Sequence, residues 1–314
     1  MHPACRLTVV SQTTGVTTTG AATTGLQATV LPTRVLVLGM AHEDGTVLAE
    51  EVLPVAEACG QTPDQVRSCL RRLVGEGLFT REGSGKGARY LATERGLGAL
   101  GTSMERHRLA YVQDHAGRGW DRRWHLVAFA IPESRRAARD ALRDRLQVLG
   151  GAAVTNGLYV SPHRWEKDVA GEAERLGIAE HVTQASTDDL DIGGVHDPRD
   201  LARLLWPIDD IAARYQRFVD AYEAVPHALE AMRSRHERLA DAVFLPGALA
   251  VTVEFQAVFT DDPLLPPELL PRPWPGRAAR ELLVRSRRMA LLLRELHNRP
   301  ALFRSFDDLI ESIP

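Results

Sequence analysis

Residues 62–93 read TPDQVRSCLRRLVGEGLFTREGSGKGARYLAT, and their cations fall at spacings suited to gripping a polyanion. At 100° per residue, Asp64, Gln65, Ser68, Arg71 and Arg72 share one helical face with Arg67 at its flank, opposite Val66, Leu70, Leu73 and Val74. Arginine offers a planar fork that takes guanine through two bonds or holds a phosphate. Lys86 and Arg89 form a second cluster shortly after. The chemistry suggested is recognition of double-stranded DNA, with Arg67, Ser68, Arg71, Arg72 and Gln65 in the groove, Thr62 at the helix start, and Lys86 and Arg89 on phosphates.

The elements that must position these groups are also legible. Thr62 is a natural N-cap, Gln65 completes a capping box, and Pro63 sits at the first helical position, where its missing N–H costs nothing. Gly75 and Gly77 close the helix. Leu78–Arg81 and Arg89–Ala92 bracket Ser84-Gly85-Lys86-Gly87, a hairpin with a basic tip. A capped helix with a cationic outer face, followed by a basic hairpin, is the layout of a winged helix-turn-helix. A basic helix face is most often only solvated. Charge placement favours the interface: residues 62–95 hold seven cations and four acids, a local +3 in a chain whose net charge is −3.

The 314-residue length predicts two or three domains, and 44% hydrophobic with 25% charged residues is ordinary for a globular protein. Cys5, Cys59 and Cys69 form no CxxC, which suggests neither a disulfide framework nor a zinc site. No cofactor is expected. The apolar runs near 35–41 and 248–253 read as too short to cross a membrane, and the first residues lack the apolar core of a signal peptide, so the expected location is the cytoplasm.

In chain order, residues 1–30 read as a disordered Thr-rich tail. Residues 31–112 form the DNA-binding domain, with helices at 32–42 and Leu48–Cys59 before the basic one and a glycine-interrupted helical connector after the hairpin. Beyond a linker at 113–121, residues 120–196 predict strand Trp124–Ile131, helix Glu133–Leu149, strands Ala152–Thr155 and Leu158–Ser161 around Asn156-Gly157, helix Trp165–Leu176 and strand His181–Ala185. That β-α-β-β-α-β order is ferredoxin-like. Residues 197–314 read as a helical C-terminal domain: Leu201–Trp206, Asp209–Ala224, Ala228–Phe244, an interruption at Pro246-Gly247, Ala248–Phe259 open between helix and strand, six prolines within Asp261–Gly276, and a last helix Arg277–Arg299. The fold class expected is α+β.

Three stretches carry a family resemblance: VRSCLRRLVGEGLF; WDRRWHLVAFAIPESRRAARDALRDRLQVLG with GLYVSPH; and DPLLPPELLPRPWPGRAAREL, the most specific in composition. On these the chain resembles the PaaX family of phenylacetic-acid-degradation repressors across roughly residues 32–300. The resemblance implies a dimeric repressor that leaves its operator on binding an acyl-coenzyme A such as phenylacetyl-coenzyme A. Arg135, Arg136, Arg139, Arg277 and Arg280 are the clusters available to such an effector's phosphates.

Two rivals are a winged-helix module that binds protein and a metal-dependent nuclease on the central domain. That domain resembles a small CRISPR-associated endoribonuclease, which places a metal-binding Asp at the end of its first strand. Here Ala130 stands in Phe129-Ala130-Ile131-Pro132, and alanine cannot ligate a hard cation. Ser161 lacks the GxSxG elbow, GSGKG lacks P-loop spacing, the histidines form no ligand pair on one helix face, and Trp120 with Trp124 reads as core. The expectation is a protein that is not an enzyme.

Overall fold

The computed structural model describes residues 32–117, 119–295 and 302–312, and the expected Thr-rich tail lies outside them. In chain order the elements are helix α1 (Thr33–Gly39), strand β1 (Thr46–Leu48), helices α2 (Ala49–Ala58) and α3 (Pro63–Gly75), strands β2 (Phe79–Glu82) and β3 (Arg89–Ala92), helix α4 (Glu94–Ala116), strand β4 (Trp124–Phe129), helix α5 (Arg136–Val148), strands β5 (Ala152–Thr155) and β6 (Leu158–Ser161), helix α6 (Glu166–Arg175) and strand β7 (Val182–Thr187). Helices α7 (Pro198–Leu205), α8 (Ile208–Tyr222), α9 (Ala224–Ser234), α10 (Asp241–Phe259), α11 (Pro275–Leu293) and α12 (Arg304–Ser312) follow. The class is mixed α+β with two small antiparallel sheets, ordered β1-β3-β2 and β5-β6-β4-β7.

The chain divides into two compact units. One holds the chain up to His107, Tyr215–Ala257 and the chain from Gly276; the other holds Arg108–Arg214 and Val258–Pro275.

In the first unit, Leu36, Val37 and Met40 of the opening segment and Val66, Leu70 and Leu73 of α3 share one core with Leu229 and Met232 of α9 and Phe244, Leu245 and Leu249 of α10. Helix α12 closes on the same core from far along the chain. Phe303 N–H donates to the Gly39 carbonyl at 2.6 Å, and a Cβ at residue 39 would run into the Phe303 ring. Only glycine permits that approach. Arg304 Nη2 lies 3.0 Å from both Glu51 Oε2 and His42 Nε2, tying α12 to α2. Arg287 of α11 holds Asp307 through two bonds of 2.7 and 2.8 Å.

In the second unit, α5 and α6 cover one face of the sheet, where Val127, Leu142, Leu146, Tyr159, Trp165 and Val169 pack together. The other face carries Trp124, Val160, Leu201, Trp206, Leu265 and Leu269. Trp120 and Trp124 lie 5.3 Å apart between ring centroids, and Trp124 is buried. The β5–β6 hairpin turns at Asn156-Gly157, where Gly157 takes φ 87° and a side chain would strike the Phe129 carbonyl.

Several boundaries differ from the sequence expectation. Leu48 ends a strand that pairs with β3 and does not start a helix. The helix expected over Ala228–Phe244 stops at Ser234, and His236 turns the chain with a left-handed φ of 57°. Tertiary contact explains the break: Leu239 N–H donates to the Leu293 carbonyl at 2.8 Å. Pro246-Gly247 does not interrupt, because α10 runs through both and Ala248–Phe259 is helical. A proline at the sixth helical position removes one intrahelical bond, and the burial of Phe244, Leu245 and Leu249 offsets it. Running through that point makes α10 19 residues, long and apolar enough by length and composition alone to cross a membrane. Of its residues, Phe244, Leu245, Leu249, Phe255, Val258 and Phe259 are buried. The last expected helix ends at Leu293, and residues 296–301 lie outside those described.

Candidate nucleic-acid interface

Helix α3 is fixed at both ends. At its start Thr62 Oγ1 accepts from Gln65 N–H at 3.3 Å and Gln65 Oε1 accepts from Thr62 N–H at 2.7 Å, so the capping box forms as expected. Thr62 and Gln65 therefore position the helix with atoms that a groove would otherwise use. At its end Glu76 receives Arg34 Nη1 at 3.0 and 2.7 Å, and the Glu76 carbonyl accepts from Arg95. A cation at each of these bonds also complements the negative end of the helix dipole. Sequence reasoning missed Arg34, which acts from 42 residues away with nothing local to point to it, and counted Arg95 only among the cations of 62–95, without its bond to the Glu76 carbonyl.

Between those anchors Val66, Cys69, Leu70 and Leu73 are buried and set the rotation of the helix. Burial raises the Cys69 thiol pKa above its ordinary value. Gln65, Arg67, Arg71 and Arg72 are exposed and Ser68 is half-buried. Arg67 is engaged by Asp64 at 2.7 Å, and that hydrogen bond, followed by the guanidinium charge, lowers the Asp64 pKa. Arg71 and Arg72 make no hydrogen bond or ion pair among the described residues.

The hairpin pairs Phe79 with Ala92 and Glu82 with Arg89. Its strand β3 is central, flanked by β1, so the tip is carried on a three-stranded sheet. Lys86 lies in the 310 turn Gly85–Gly87, and its side chain is outside those described. Gly83 and Gly85 turn the tip with φ of 71° and 62°. Arg89 is exposed at the first position of β3.

The arginines considered for an effector lie in two places. Arg135, Arg136 and Arg139 gather at the start of α5 in the second unit. Arg135 donates to the Gly177 carbonyl, Arg136 lies 3.6 Å from Asp140, and Arg139 holds Glu133 at 2.7 Å. Arg277 and Arg280 lie in the first turns of α11 in the first unit. Arg277 meets Glu281 at 2.8 Å, and Arg280 is only 4% exposed.

Comparison with known proteins gives concordant results. The chain is 23% identical over 248 residues to the transcriptional repressor PaaX of Escherichia coli (strain K12), covering 78% of this chain and 74% of that protein. The fold is similar to that of an uncharacterized protein of Mycobacterium tuberculosis, with a TM-score of 0.50, 22% identity, and coverage of 83% of this chain and 96% of the other. Residues 117–202 match the family model described as the PaaX protein central Cas2-like domain. Residues 206–294 match the one described as the PaaX-like protein C-terminal domain. Those two matched stretches hold the β4–β7 sheet and helices α8 to α11 and take in more than half of the sequence; the chain belongs to the PaaX family.

Proposed function

We propose that this protein is a cytoplasmic transcriptional regulator, a repressor that binds an operator in double-stranded DNA as a homodimer. In this reading residues 31–112 act as a winged helix-turn-helix, 120–196 as a ferredoxin-like domain and 197–314 as a helical C-terminal domain. Arg67, Ser68, Arg71 and Arg72 enter the major groove, and Lys86 and Arg89 of the wing meet phosphates. The observation that carries it is the pair Arg71 and Arg72, exposed on a helix anchored at both ends and making no hydrogen bond or ion pair among the described residues. Uncommitted cations on a rigid element are what a polyanion requires. The name of the Escherichia coli relative supports the same reading.

The experiment is capture of genomic fragments on the purified protein, followed by a salt titration of the enriched duplex. Binding that falls steeply with salt and discriminates against scrambled duplex supports the proposal. Failure to enrich any fragment would leave the protein-binding module as the better reading.

The effector in this proposal is an acyl-coenzyme A such as phenylacetyl-coenzyme A, and it rests on the family resemblance. Release requires tighter binding to the DNA-free state, so operator must weaken thioester binding reciprocally. Calorimetry with several acyl-coenzyme A thioesters, with and without operator, measures both directions. No heat from any thioester while operator still binds would remove the effector and leave the DNA-binding reading intact.

A further inference from the structure

Strand β7 is the outer strand of the β5-β6-β4-β7 sheet, and among the described residues it pairs with β4 alone. Thr183, Gln184, Ala185 and Ser186 are all exposed, while Val182 and Thr187 at the ends are half-buried, and Gln184 Nε2 donates to the Glu166 carbonyl of α6 at 3.3 Å. Exposed edges are ordinarily blunted by charges, proline or a bulge. Val182–Thr187 reads VTQAST, without charge or proline, and its register with β4 is unbroken over six pairs. The opposite edge differs: β5 carries a register irregularity between Ala153 and Thr155, and Ala152 packs with Leu201 and Ala202 of α7.

The parity of the ladder fixes which groups are open. Ala130 N–H donates to the His181 carbonyl, and Phe129 N–H donates to the Gly157 carbonyl on the other side of β4. By alternation Thr183, Ala185 and Thr187 bond inward to β4, and the backbones of Val182, Gln184 and Ser186 point outward. Two of those outward groups are already satisfied within the chain. Val182 N–H donates to the Ala179 carbonyl, and the Ser186 carbonyl accepts from Arg123 Nη2 at 3.3 Å. Among the described residues, the open groups are Gln184 N–H and carbonyl, Ser186 N–H and the Val182 carbonyl.

We propose that β7 pairs antiparallel with β7 of a second copy about a two-fold axis through Gln184, fusing two four-stranded sheets into one. In that register Gln184 bonds reciprocally to Gln184 of the second copy, and Ser186 N–H reaches its Val182 carbonyl. The two groups that would face each other unused, Val182 N–H and the Ser186 carbonyl, are the two that each chain satisfies internally. No like charges oppose each other within the strands. At each end Arg123, which caps Ser186, comes toward Glu180 of the second copy. This rests on the homodimer of the proposed function and gives it an interface.

The test is sedimentation of the full chain, wild type and variants, with and without operator. Gln184→Pro removes an N–H that β4 does not use, which an edge strand tolerates, and is expected to weaken self-association roughly tenfold or more. Gln184→Lys and Gln184→Glu each place like charges on the axis; an equimolar mixture is expected to form the mixed dimer in preference to either homodimer. Such pairing also shows that both variants are folded. Amide exchange of the wild type supplies an arm without variants: Gln184 and Ser186 N–H are expected to be slow at dimeric concentration and fast on dilution. A wild-type dimer with freely exchanging Gln184, or with Gln184→Pro and the mixture unchanged, would overturn this interface and leave the homodimer standing. A wild-type chain that stays monomeric both free and on DNA would overturn both.

Discussion

Arg294 and Asp241 form a buried two-bond ion pair, Nε to Oδ1 at 2.6 Å and Nη2 to Oδ2 at 3.0 Å, with side chains 4% and 13% exposed. The Phe244 ring lies 5.0 Å below the guanidinium. The pair fixes the end of α11 to the start of α10. Removing one partner strands a charge in low dielectric, and Asp241→Ala is expected to cost about 3–5 kcal/mol of stability. Denaturant unfolding measures it. A cost under about 1 kcal/mol would show that water reaches Arg294.

Arg71→Ala and Arg72→Ala are expected to leave stability within about 0.5 kcal/mol of wild type, because both side chains are exposed and make no hydrogen bond or ion pair among the described residues. Each should weaken the enriched duplex by about 1–3 kcal/mol if it reads a base. Unchanged affinity in both variants would defeat the groove assignment of α3.

Arg89→Ala tests the wing separately. A phosphate contact carries no sequence information, so all duplexes should weaken alike. The slope of log affinity against log salt should become shallower by about 1. Altered sequence preference with an unaltered slope would place Arg89 on a base edge.

His107 gives the pH dependence. It is buried between the Phe255 and Phe306 rings, 6.2 and 5.4 Å away between centroids. Gln256 Nε2 can only donate to His107 Nε2, at 2.8 Å, so that nitrogen carries no proton. Burial first, then the Arg106 and Arg280 charges, push its pKa from 6.5 down to about 3. Between those values the unfolded chain holds a proton that the folded chain lacks, so stability falls as pH drops below about 6.5. His107→Gln should flatten the stability curve between pH 6 and 4 by about 1 kcal/mol per pH unit. Parallel curves for the two proteins would mean that His107 is reached by solvent.

What could be read from sequence was local. The α3 capping box, its apolar stripe and the Asn156-Gly157 hairpin lie within a few residues of the groups they organise, so spacing reports them. Strand β1 is three residues long and has no period to detect; it exists because β3 pairs with it. Pro246 and Gly247 are punctuation by composition, and tertiary burial overrides them in α10. At the candidate interface the exposed arginines were legible, whereas the anchor from Arg34 to Glu76 was not. Arg280, Arg287 and Arg294 recur every seven residues, and nothing in that spacing reports their burial. They are buried at 4%, 7% and 3% exposure, and the acids that hold Arg287 and Arg294 lie 20 and 53 residues away.

The closure of α12 on α1 and α2 has a consequence for biosynthesis. Leu36 and Val37 are fully buried in a core that includes Leu302, and Gly39 meets Phe303. A ribosome that has just released residue 107 must still add the chain through residue 312 before that seal can form. At ordinary elongation rates this takes roughly 10 to 40 s. For that interval the nascent N-terminal segment carries an uncovered apolar face, which makes it a substrate for chaperones and a site of aggregation when translation stalls.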